Sequence, residues 1–227
     1  MPIVKVQQVK RHYQQGEHAV HALRGVDLSI EEGEFTVLMG ASGSGKTTLL
    51  NIIGGLDNAD SGTVEVDGHR FDQLSGGKLS DIRLKRLGFV FQAYNLIPVL
   101  TAYENAEFVL LLQGKTTAER KKRVMETLNA VGLSGMENRR PSELSGGQQQ
   151  RVAVARAIAG KPALVLADEP TANLDSKTSS SLIALMKELN EKEGITFLFA
   201  THDPKVMNAA KRVVSMEDGM IISDEIR

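Results

Sequence analysis

Phe35-Thr36-Val37-Leu38-Met39-Gly40-Ala41-Ser42-Gly43-Ser44-Gly45-Lys46-Thr47-Thr48-Leu49-Leu50 is the stretch that decides the fold. Its first five residues are almost continuously apolar, the pattern of a strand buried on both faces of a parallel sheet. Residues 40–47 then match GxxxxGK[ST], and a helix is expected over 46–53, with Leu49, Leu50, Ile52 and Ile53 packing on the sheet before Gly54-Gly55 ends it. Gly40, Gly43 and Gly45 let backbone N–H groups close around phosphate oxygens, with Ser42, Ser44 and Thr48 in the same loop and first turn. The helix N-terminus adds its dipole, Lys46 reaches the β- and γ-phosphates, and the Thr47 hydroxyl ligates Mg²⁺. The strand before and the helix after separate this loop from an ordinary Gly/Ser loop.

Downstream, the apolar run 163–167 ends at Asp168-Glu169. Alone this is a strand stopping at an acidic turn. Beside a phosphate loop, it carries Asp168 to the sheet edge to hold a metal through its shell and sets Glu169 to polarise an attacking water. His202 follows the apolar run 195–200, and Gln92 follows 88–91, so both reach the same edge. Each is either a turn or cap residue or a group facing the γ-phosphate, the metal or the water.

Leu144-Ser145-Gly146-Gly147-Gln148 lies between Gln92 and the acidic strand. Ser145 can cap a helix running through Arg151 and Ala155, which leaves the N–H groups of Gly146 and Gly147 free to bind an anion. Leu74-Ser75-Gly76-Gly77 repeats the first four letters but continues with Lys78, and it reads as a loop and helix start.

Val4, Val6 and Val9 partly alternate with polar residues, a polar turn is expected around Gly16, and 26–30 gives a second strand, an antiparallel pair with one wet face. A turn at Glu32-Gly33-Glu34, a strand at 63–66 stopped by Asp67-Gly68, and a polar helix over 78–87 follow. Residues 95–160 hold no strand pattern; 102–112 and 117–131 carry helical spacing, punctuated by Gly132, Gly135 and Pro141. Helices over 176–191 and 204–210 and strands at 213–216 and 220–222 close the chain. Alternating buried strands and helices predict a single α/β domain, 1–227: a P-loop NTPase core with a mostly parallel sheet from 1–94 and 161–227, including an N-terminal antiparallel β subdomain, and an inserted α-helical subdomain over 95–160.

With 227 residues, 41% hydrophobic and 24% charged, the chain can bury a large core. Its net charge of −1 gives no overall basic field to gather nucleic acid, so no nucleic-acid partner is expected. The absence of cysteine excludes disulfides and thiolate metal sites and suits a reducing compartment. No secretory signal is read at the start, and no apolar run reaches the roughly 20 residues of a spanning helix.

The order Tyr13, loop 40–47, Gln92, 144–148, Asp168-Glu169, Asn173-Leu174-Asp175 and His202 resembles the nucleotide-binding subunit of ATP-binding cassette (ABC) transporters over nearly the whole chain. The resemblance implies ATP hydrolysis with ATP and Mg²⁺ as cofactors. It also implies that Tyr13 stacks on adenine, that Gln92 contacts Mg²⁺ and water while linking to a membrane partner, and that His202 senses the γ-phosphate. Lys46, Gln92, Glu169 and His202 would form the catalytic set, with Thr47, Gln92 and Asp168 on the metal. Ser145, Gly146, Gly147 and Gln148 would bind the γ-phosphate of ATP held by a second copy, with Asp175 at the interface, so that two chains packed head to tail form two composite sites. Ala59, where many relatives have proline, and Ala172, where close relatives often have glycine, depart from the pattern without touching the phosphates.

Residues 89–114 and 144–156 are most similar to the branch that powers lipoprotein release and macrolide or peptide export. That branch implies an integral membrane permease subunit on another chain and a cytoplasmic location on the inner face of the cell membrane. Tyr94, Leu96, Ile97, Pro98, Val99, Leu100 and Tyr103 are too apolar for an ordinary exposed loop. They either line a groove for a short helix of that partner or form the helical subdomain's own core. The alternative class is a soluble or cell-division-type ABC ATPase regulating a non-transport partner; the coiled-coil arms of chromosome-type members and the paired cassettes of ribosomal ones are not seen.

Overall fold

The computed structural model describes residues 2–15 and 18–227; the turn expected around Gly16 lies outside them. The elements in order are β1 (Val4–Gln15), β2 (His18–Ile30), β3 (Phe35–Met39), α1 (Lys46–Ile53), β4 (Ser61–Val66), β5 (His69–Arg70), α2 (Gly76–Arg86), β6 (Leu87–Phe91), α3 (Ala102–Leu112), α4 (Thr117–Ala130), α5 (Gly146–Ala159), β7 (Leu164–Asp168), α6 (Ser176–Glu193), β8 (Thr196–Thr201), α7 (Pro204–Ala209), β9 (Arg212–Glu217) and β10 (Met220–Ile226).

Two sheets form, a four-stranded one in the order β2-β1-β4-β5 and a six-stranded one in the order β10-β9-β3-β8-β7-β6. The first is antiparallel throughout. The second is parallel except for the β9–β10 pair. Because side chains alternate along a strand, its residues divide between two cores. Phe35, Val37, Val165, Ala167, Phe197 and Phe199 face α3–α6. Leu38, Leu164, Leu166, Leu198 and Ala200 face α1 and the antiparallel sheet. The helix carrying Lys46 is thus clamped between both sheets.

Two local departures have physical causes. Val4, Val6 and Val9 all point inward although the last spacing is three, because Gln8 bulges out at φ 50 and donates its N–H to Asp27 Oδ1 at 2.9 Å. The helix expected over 78–87 starts at Gly76 and stops at Arg86. Leu87 instead takes an extended backbone and pairs with Leu164, its side chain 5% exposed, so burial beside β7 overrides helical continuity.

Candidate functional site

The carboxyl ends of β3, β6, β7 and β8 converge on one cavity of about 720 Å³. In a parallel sheet this edge is where ligands collect, since the strands deliver their following loops there. Tyr13, Ser42, Gly43, Ser44, Gly45, Lys46, Thr47, Thr48, Gln92, Asp168, Glu169 and His202, all singled out in the sequence, line it. Gly40 stands behind the loop, where a side chain would meet Met216 O at 2.3 Å.

The loop is braced from below. Gly219 N, in the β9–β10 turn, donates to Ser44 O at 3.1 Å, and Gly45 (φ 98) lies so close to Ala22 O that no side chain fits. Lys46 is 7% exposed and donates to Gly40 O (2.7 Å) and Ala41 O (2.9 Å). Burial lowers its pKa, against the opposing pull of Glu169 and Asp168.

Thr47 Oγ1 donates to Asp168 Oδ1 at 3.1 Å. Burial raises the Asp168 pKa and Glu169 adds to that, whereas the Thr47 hydrogen bond and Lys46 pull it down. This hydroxyl–carboxylate pair offers the hard oxygen donors that suit Mg²⁺. Among the described residues no group of three or more His, Cys, Asp or Glu could hold a metal alone, so a cation here would complete its shell with phosphate oxygens and water. Glu169 follows with a left-handed backbone, φ 44, while its N–H donates to Ala200 O at 2.9 Å. Its carboxylate is held at both ends, Oε2 accepting from Thr201 Oγ1 at 2.8 Å and Oε1 lying 2.6 Å from His202 Nδ1. A carboxylate and an imidazole so placed can hold and deprotonate a water.

Tyr13 closes the cavity's far side. Its hydroxyl donates to Asp57, and the Arg11 guanidinium sits 4.7 Å from the ring centroid over one face. Arg11 also bridges Asp57 and Asp60, tying β1 to the loop after α1. Ala19, Val20, His21, Ala22, Arg24 and Asp218 line the cavity as well and were not singled out. The hairpin gives the signal that finds two of them, since Val20 pairs with Tyr13 and His21 with His12. Asp218-Gly219 is a turn pair like Asp67-Gly68.

The pentapeptide 144–148 and Asp175 do not enter this cavity. Ser145 caps α5, its Oγ accepting from Gln148 N (3.3 Å) while Gln148 Oε1 accepts from Ser145 N (2.9 Å). Ser75 makes no such cap, and Lys78 has no acceptor to return one, which separates the repeat at 74–77 from 144–148. The N–H groups of Gly146 and Gly147 belong to the first turn and lack intrahelical acceptors. The absence of side chains there also permits close packing: a Cβ on Gly147 would meet Thr178 Cγ2 at 2.3 Å, and one on Gly146 would meet Tyr94 Oη at 2.9 Å. Asp175 caps α6, its carboxylate accepting from the N–H groups of Lys177 and Thr178 and from the Thr178 hydroxyl. Asn173 Nδ2 donates to Gln92 O at 2.9 Å, linking this segment to the end of β6.

A second, apolar groove of about 490 Å³ opens between β6, α2, α3 and α5, lined by Leu56, Leu84, Phe89, Phe91, Phe108 and Leu112 among others. Tyr94, Leu96, Ile97, Pro98, Val99, Leu100 and Tyr103, expected either to line a partner groove or to form the helical core, do not line this one. Leu96 and Tyr103 pack against the core, Val99 is 71% exposed, and only Asn95 of that segment reaches the groove.

The family model described as "ABC transporter" matches residues 23–172. The ABC transporter ATP-binding protein MJ0796 of Methanocaldococcus jannaschii is 45% identical across 98% of this chain and 97% of its own length. The macrolide export ATP-binding/permease protein MacB of Mannheimia succiniciproducens is 43% identical across 99% of this chain, which spans 35% of MacB's length. A dimeric, post-hydrolysis structure of the MJ0796 cassette bound to ADP and Pi superposes with a TM-score of 0.90 over 98% of both chains at 45% identity. No helix among the described residues is long and apolar enough to cross a membrane. The strand edge carrying the phosphate loop, the acidic pair and the histidine, together with the capped glycine helix and these likenesses, establishes the chain as a member of the ABC transporter family, an ATP-binding and ATP-hydrolysing cassette.

Proposed function

We propose that the chain works as an ATP-driven, head-to-tail homodimer that powers an integral membrane permease subunit from the inner face of the membrane. The observation that carries this is the split of the site. The phosphate loop, Asp168, Glu169, Gln92 and His202 share one cavity, while the capped N-terminus of α5 stands outside it. A helix N-terminus that stands outside its own chain's cavity can meet the phosphates held in the cavity of a second copy, and two-fold symmetry then builds two sites at once. The dimeric MJ0796 structure supports this arrangement.

In each site Tyr13 stacks on the base and Lys46 and the loop N–H groups hold the phosphates. Ser145, Gly146, Gly147 and Gln148 of the second copy close over the γ-phosphate, with Asp175 at the interface. Thr47, Gln92 and Asp168 would hold Mg²⁺, which neutralises phosphate charge when bound. Glu169 takes the proton of the attacking water as its oxygen bonds to phosphorus and the β–γ bridge breaks to leave ADP; His202 keeps the carboxylate and the γ-phosphate in register. The 95–160 segment acts as the helical subdomain, and the groove beside Phe89 and Phe108 receives the permease. MacB, a macrolide export ATP-binding/permease protein, supports an export-type partner.

Glu169→Gln is expected to bind ATP and accumulate as a dimer with Mg-ATP, whereas Lys46→Ala fails to bind. Nucleotide binding and sizing chromatography read both. Wild-type turnover by Glu169→Gln removes the general-base assignment.

A further inference from the structure

Glu169 meets two donors of different character. His202 is a surface group, its side chain 73% exposed, and contacts Oε1. Thr201 is 0% exposed, ends β8, and donates to Oε2. Its position is fixed three ways: by the parallel register with Met39 of the strand that enters the phosphate loop, by burial, and by a second hydrogen bond in which its Oγ accepts from Asp203 N at 3.0 Å. The hydroxyl thus accepts from a backbone N–H while its one proton goes to the carboxylate. The backbone turns the carboxylate toward it, since Glu169 adopts φ 44 while bonded through its N–H to Ala200, the residue before Thr201.

We infer that Thr201 is a positioning residue for hydrolysis: it clamps Oε2 of Glu169 and so assigns Oε1, the oxygen facing the exposed His202, as the atom that receives the water's proton. The inference rests on the proposed role of Glu169 as general base. The proton passes from water to Oε1, the water oxygen bonds to the γ-phosphorus, the β–γ bridging bond breaks to ADP, and Thr201 neither gains nor loses a proton. A clamp on one oxygen leaves the carboxylate a single rotational setting, and sub-ångström placement of a base is worth large factors in rate. A purely structural reading has a competitor in the same atoms, the bond to Asp203 N. That helix start, however, already has its own cap, because Asp203 Oδ1 accepts from Lys205 N at 2.9 Å.

The test is steady-state ATPase kinetics and Mg-ATP-dependent dimerisation of the full chain carrying Thr201→Val, which keeps the shape and loses the hydroxyl, or Thr201→Ser, which keeps the hydroxyl. Thr201→Val is expected to lose on the order of tenfold or more in kcat, with KM for ATP within about twofold and the ATP-bound dimer retained on a sizing column. Thr201→Ser restores kcat to within about threefold of wild type. The inference is overturned if Thr201→Val turns over at or above the wild-type rate, if Thr201→Ser is as slow as Thr201→Val, or if Thr201→Val loses the dimer along with turnover. Glu169→Gln run beside them separates the two readings. If it turns over normally the general base is wrong; if it stalls while Thr201→Val does not, only the clamp is wrong.

Discussion

Tyr13 is the residue proposed to stack on the base. One ring face is covered by Arg11 and the hydroxyl is fixed by Asp57, which holds the ring in one orientation. Tyr13→Ala is therefore expected to weaken ATP binding by about 1–3 kcal/mol, the usual worth of base–aromatic stacking, while leaving the saturated turnover rate nearly unchanged. Titration with a fluorescent ATP analogue measures the loss; equal affinity in the variant would remove Tyr13 from the base site. The candidate residues at the strand edge were legible as neighbours because each ends or follows a buried strand: Gln92, Asp168-Glu169 and His202 all inherit their position from apolar runs. The support of Tyr13 was not, because Asp57 is 44 residues away and only the folded pairing of β1 with the loop after α1 joins them. Thr201 was not singled out, because its partner Glu169 lies 32 residues away and only the pairing of β7 with β8 brings the two together.

Elements divide along the same line. Helices with strong caps were readable at their starts, as at Thr101 and Thr116, each of which closes a reciprocal cap with a glutamate three residues on. The boundary at Leu87 and the bulge at Gln8 were not readable, since both are decided by a neighbouring strand. The β9–β10 hairpin is held by Arg212, which donates to Asp224 (2.7 Å) and Glu34 (3.0 Å), joining it to the start of β3. Hydrogen bonding to Arg212 lowers the Asp224 pKa, against partial burial. A carboxyl lowered on folding contributes stability above its unfolded pKa and loses it as pH falls through the folded value. Asp224→Asn is thus expected to be less stable than wild type at neutral pH, with the difference shrinking as pH falls below about 4. Urea unfolding at several pH values reads this, and a pH-independent difference would contradict it.

At the scale of the whole molecule, the fold is two sheets clamping the phosphate-loop helix, with α3–α5 inserted in the chain between β6 and β7. Its α/β class followed from the spacing of buried strands, whereas the apolar groove did not, because Phe89 and Phe91 stack side by side only once β6 is in place. In the proposed head-to-tail dimer each site takes its phosphate loop from one chain and its capped glycine helix from the other. Mixing Lys46→Ala with Ser145→Arg tests this most directly, each variant being inactive alone. In a mixed head-to-tail dimer the intact loop of the second variant meets the intact 144–148 segment of the first, so ATP turnover is expected to reappear on mixing. Turnover that stays at the sum of the two separate variants would mean that each chain builds its site alone, and would contradict the account.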